Sequence, residues 1–151
     1  MKAYEKKIIN DAFCNVMETM AFMFGDPVTK EEIKDYPSDC IQAVMSFYGH
    51  KSGLMTVIVP TEMCVEISAN TLGKDYNEAL KIVRATDAVK ELLNITCGKI
   101  LTDLYGTEPV FNLTPPEVNF PDESIWEDIK KDSDSLFFLV DNLLTGLQFK
   151  V

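Results

Sequence analysis

Asp87-Ala88-Val89-Lys90-Glu91-Leu92-Leu93-Asn94-Ile95-Thr96-Cys97-Gly98 is the stretch whose periodicity decides the fold. At about 100° per residue, one helix sorts it into two sides. With Asp87 at zero, Glu91 falls at about 40°, Asn94 at about 340° and Gly98 at about 20°, a single narrow line. Val89, Leu92, Leu93, Thr96, Ile100 and Leu104 fall between about 140° and 260°, a core-facing side. The polar line therefore points away from the core. A carboxylate there can pair with a lysine on another molecule. A carboxamide one turn on offers both a donor and an acceptor, so it can hold a water and a phosphoryl oxygen together. Gly98 leaves room for a partner's backbone to come close. Taken alone, such a line is more often plain solvated surface.

Working outward, the helix extends to Leu104 and Gly106 ends it; its start lies near Tyr76, with the clear part from Ala85. Upstream, Ile8, Ile9, Ala12, Phe13, Val16, Met17, Met20, Met23 and Phe24 recur at helical spacing, predicting a first long helix over residues 4–24. Gly25-Asp26-Pro27 closes it. Residues 28–37 read as a polar connection. Residues 39–48 and 54–59 read as two strands joined by a turn from Gly49 to Gly53. A short helix over 61–72 follows, closed by Gly73. Downstream, Val110 to Leu113 reads as a strand, broken by Pro115-Pro116. Residues 121–133 read as an acidic loop with one helical turn around Trp126. Strands at 135–141 and 146–151 form a closing hairpin through Asn142 to Gly146. The sum is one α+β domain over residues 1–151, two long helices packed on a largely antiparallel sheet.

The first helix echoes the second. Glu18-Thr19-Met20-Ala21-Phe22-Met23-Phe24-Gly25 aligns with Glu91-Leu92-Leu93-Asn94-Ile95-Thr96-Cys97-Gly98, both reading E-x-[ML]-[AN]-x-x-x-G. The chemical difference is Ala21 against Asn94.

Bulk properties exclude several classes. The 151 residues carry a formal net charge of −10. Nucleic-acid backbones and anionic membrane surfaces both require clustered Lys and Arg. No apolar run approaches the ~18 residues that span a bilayer. The polar, lysine-rich start, Met1 to Asn10, has no apolar signal segment after it, which with Cys14, Cys40, Cys64 and Cys97 read as buried reduced thiols points to the cytoplasm. None of the four forms a CxxC pair and the chain has 1 His, so no zinc or other metal site is expected. His50 sits in a glycine-flanked turn, which leaves no candidate for a Ser-His-Asp or Cys-His mechanism. The chain lacks GxxxxGK[ST] and GxGxxG, and the acids from Asp122 to Asp134 miss the calcium-loop spacing.

The segment from Asp87 to Gly98 resembles the signature of the CheC/CheX/FliY phosphatases: an acidic or serine residue, a Glu, an Asn three residues on, then Ile and Gly. Pro115-Pro116 stand where that family has a downstream proline. Ser46-Phe47-Tyr48-Gly49 with Gly53 to Pro60 resembles its first hairpin, Pro60 to Gly73 the next helix, and Gly146 to Val151 the last strand. The resemblance runs from about Phe13 to Val151. Loss of the Asn on the first helix, at Ala21, resembles the one-site CheX arrangement. It implies a CheC/CheX-like fold and hydrolysis of the aspartyl phosphate on a CheY-type response regulator. Asn94 then orients the water, Glu91 pairs with a regulator lysine, and Asp87 and Gly98 support the contact. No cofactor is implied in this chain, Mg2+ residing on the regulator. A homodimer through sheet edges is implied as well. Two further readings stay open: a non-catalytic receiver-binding module on the same fold and, ranked last, a structural subunit of the flagellar switch.

Overall fold

Strict alternation along two strands lays the centre of the sheet. In β2 (Cys40–Gly49) the side chains of Ile41, Ala43, Met45 and Phe47 are buried while those between them reach the surface in part. β2 pairs antiparallel with β3 (Gly53–Pro60) from Cys40↔Pro60 to Phe47↔Gly53. This is a computed structural model, and it describes residues 1–72 and 78–151. The other elements are α1 (Ala3–Ala21), β1 (Gly25–Val28), a 3-10 turn (Lys30–Glu32), α2 (Thr61–Leu72), α3 (Glu78–Tyr105), β4 (Phe111–Leu113), β5 (Glu117–Asn119), α4 (Ser124–Lys131), β6 (Leu136–Val140) and β7 (Leu143–Lys150). The expectations that Gly73 closes α2 and that α3 starts near Tyr76 lie outside the described residues.

The strands form one sheet in the order β1-β6-β7-β3-β2, with β4 and β5 both on the outer side of β2. Every described pairing is antiparallel. The α+β expectation stands, with α1, α2 and α3 over one face. Phe13 and Met17 of α1, Met63 and Ile67 of α2, and Val89, Leu92 and Leu93 of α3 meet Met45, Val57, Phe138 and Leu147 in the main core. Each of those buried side chains contributes about 1.5–3 kcal/mol relative to exposure.

Four local expectations are corrected. First, α1 stops at Ala21, because Phe22 turns left-handed (φ 56°) and its N–H closes onto the Glu18 carbonyl. Gly25-Asp26-Pro27, read as a stop, opens edge strand β1, where an edge tolerates proline. Second, β5 adds a short strand that its own residues did not announce; it pairs with Gln42–Val44 after the Pro-Pro break. Third, residues 124–131 are a full helix rather than a loop. α4 seats Trp126 and Ile129 against Cys40, Ile58, Phe137 and Leu144 on the opposite face of the sheet. Fourth, the closing turn is Asp141-Asn142, both at positive φ (46° and 67°), as a two-residue hairpin of primed type requires. Gly146, read as its end, lies inside β7, where a methyl group would stand 2.6 Å from Ile129 Cδ1.

Candidate functional site

α3 is fixed from behind. Ala85, Val89, Leu92, Leu93, Thr96, Cys97 and Ile100 are all at most 1% exposed, so the phase of the helix is set by burial and cannot drift. No proline interrupts this span before Tyr105. That phase turns Asp87, Glu91 and Asn94 outward; all three are exposed, and Gly98 is half-buried on the same line. The structure therefore brings the four sequence-derived residues onto one face. No described residue hydrogen-bonds or ion-pairs with the side chains of Asp87, Glu91 or Asn94. The carboxamide and carboxylate are thus free to bind something else. Ile95 stands beside them, 38% exposed.

The chain after α3 folds back against this face. Gly106, at φ +84°, turns the backbone, and Pro109, Phe111 and Leu113 come to lie opposite Gly98, Leu101 and Thr102. Between them is a recess of about 300 Å³. Local periodicity gives no hint of it, because it arises from pairing of β4 with residues 47–49. His50 sits on the turn after β2 with its ring edge-on to Tyr105 and Phe111, centroids 6.0 and 6.2 Å away.

Burial raises the thiol pKa of every cysteine. All four are free thiols. Burial pushes the Cys97 and Cys64 thiols up to about 12. Burial, with Asp26 and Asp11 nearby, pushes Cys14 up to about 11. Thiols that high stay protonated and unreactive. Among the described residues, no group of three His, Cys, Asp or Glu side chains is placed to hold a metal ion. No described helix is long and apolar enough to cross a membrane.

The α1 echo does not repeat the site. Glu18 is exposed like Glu91, but Ala21 is 0% exposed, and its carbonyl accepts the Asn70 side-chain N–H of α2 at 2.9 Å.

Helices packed on one face of a largely antiparallel sheet make a CheC/CheX-like fold, and the comparisons agree on that fold. The family model described as chemotaxis phosphatase CheX matches residues 41–136, well over half of the chain. The chain belongs to the CheX family, within the CheC/CheX/FliY group. It is similar to CheX of Desulfovibrio desulfuricans (20% identity, 97% of each chain covered, TM-score 0.70). It is also similar to CheX of Vibrio vulnificus (17% identity, 98% and 96% covered, TM-score 0.70). A third likeness is to the CheX–CheY–BeF3–Mg2+ complex of Borrelia burgdorferi (17% identity, 95% of each chain covered, TM-score 0.66). No curated protein sequence matches it.

Proposed function

We propose that this chain accelerates hydrolysis of the aspartyl phosphate on a CheY-type receiver domain, with Asn94 and Glu91 as the residues that carry the activity. The observation behind this is the state of Asn94: an exposed carboxamide with no partner among the described residues, one helical turn from a Glu91 that likewise has none among them, on a helix whose phase the core fixes. Membership of the CheX family supports it, as does the existence of a CheX–CheY complex in a relative.

Attack of water on an acyl phosphate depends on positioning and charge compensation more than on a strong base. Asn94 suits the first need. Its carbonyl oxygen accepts a hydrogen bond from the attacking water while its NH2 donates to a phosphoryl oxygen. Glu91 suits docking, by pairing with a lysine beside the phosphoaspartate, a charge-assisted contact that fixes the register of α3 on the receiver. Asp87, a turn earlier, adds a second negative charge to that contact. Mg2+ belongs to the receiver and neutralises charge on the phosphoryl group. A homodimer formed through sheet edges, working in the cytoplasm, completes the proposal.

The test is phosphate release from a phosphorylated receiver domain with Mg2+, in the presence and absence of this protein. Faster release than the receiver shows alone supports the proposal. Binding of the receiver with unchanged release leaves a non-catalytic binding module instead.

A further inference from the structure

α3 contains a single glycine, and nothing among the described residues accounts for it. Glycine in a helix interior is less stable than alanine, so it persists where something demands it. Elsewhere the demand is visible. A Cβ on Gly53 would stand 2.0 Å from the Lys150 carbonyl oxygen, and one on Gly146 2.6 Å from Ile129. Gly49 and Gly106 hold φ of +139° and +84°, and a Cβ on Gly25 would stand 3.3 Å from Val140 Cγ2. At Gly98 the helix is regular, and an added Cβ meets nothing within 4 Å. Gly98 stands one turn beyond Asn94 and forms one wall of the recess of about 300 Å³ opposite Phe111 and Leu113.

We infer that this recess receives an uncharged backbone segment of the receiver domain, and that Gly98 and Thr102 hold the receiver on the Glu91–Asn94 line by letting that segment come close. The inference rests on the proposed phosphatase function and extends it to the shape of the partner. Three features select the occupant. The lining carries no charged side chain, so a second phosphate or an acidic tail is disfavoured. Leu101, Pro109, Phe111 and Leu113 offer apolar walls, with the Thr102 and Thr107 hydroxyls available to peptide groups. The recess is also continuous with the Glu91–Asn94 line through Gly98, so a body docked on that line reaches it without a second contact area. Gly98 and Thr102 are docking residues; neither touches the reacting atoms.

Gly98→Ala separates the demand of the fold from the demand of the partner. Its midpoint of thermal unfolding is expected to rise by roughly 2–4 °C, because alanine is the better helix former and the space is empty. Its half-saturating concentration of phosphorylated receiver is expected to rise at least about fivefold, with kcat within about twofold of the parent. Thr102→Trp, an exposed position whose side chain would fill the recess, is expected to raise it further. A lower unfolding midpoint for Gly98→Ala would overturn the premise that the space is empty. If the parent accelerates release and both variants keep its half-saturation value, the recess proposal fails while the phosphatase proposal stands. If the parent does not accelerate release, that proposal fails, and affinity for a beryllofluoride-activated receiver still decides about the recess: weaker binding of both variants supports it, unchanged binding sinks it.

Discussion

Residues 18–25 and 91–98 share a pattern and have opposite fates. On α3 the helix runs on past Gly98 to Tyr105, and Asn94 points into solvent. On α1 the helix ends at Ala21, Phe22 turns left-handed, and the matching glycine has become the first residue of an edge strand. The α2 end covers Ala21 through Asn70. The α1 segment therefore presents no Glu/Asn pair, for two reasons: the amide is gone, and the surface that would have presented it is covered. A motif of spacing alone cannot distinguish these cases. What distinguishes them is whether the helix continues and what packs on it.

The comparison can be broken first at Ala21. Ala21→Asn is expected to destabilise the protein by about 3 kcal/mol, since it overpacks a closed position and buries an amide without partners. It should restore no second activity; denaturant unfolding and phosphate release check both. A stable variant with doubled activity would show that the α1 position is a dormant site. The two exposed glutamates give the next contrast. Glu91→Lys is expected to lower kcat/KM roughly 30-fold, about 2 kcal/mol of like-charge repulsion against a receiver lysine. Glu18→Lys should leave kcat/KM unchanged. Equal losses would place the docking face elsewhere. The smallest effect lies directly behind Asn94. Thr96 Oγ1 is buried without a partner among the described residues, so Thr96→Val is expected to stabilise the protein by about 1 kcal/mol. Unchanged activity in that variant would confirm that the two sides of α3 serve separate ends; lost activity would couple them.

Much of this was legible in the sequence, for reasons that differ along the chain. α3, α2 and the β2–β3 hairpin follow from their own periodicity and turn residues, so local pattern sufficed. The outward line of Asp87, Glu91, Asn94 and Gly98 was legible on the same grounds, because the apolar side of α3 leaves only one phase. α4 was hidden because Asp122, Glu123, Glu127 and Asp128 dominate the composition, while its buried side rests on two residues, Trp126 and Ile129. β1 and β5 have 4 and 3 residues and owe their form to distant partners, β6 and β2. Gly146 invited a turn because glycine usually does; its reason is the indole and isoleucine above it. The recess beside Gly98 depends on a strand pairing far away in sequence, so no local signal foretold it.

The central claim is that the Asn94 amide orients the attacking water. Its most direct test is single-turnover phosphate release from a phosphorylated, Mg2+-loaded receiver with the parent and with Asn94→Ala, alongside affinity for the beryllofluoride-activated receiver. Binding is expected to stay within about threefold while release slows at least about 100-fold, comparable with removing one preorganised hydrogen-bond donor from an active site. Release by Asn94→Ala as fast as by the parent would contradict it.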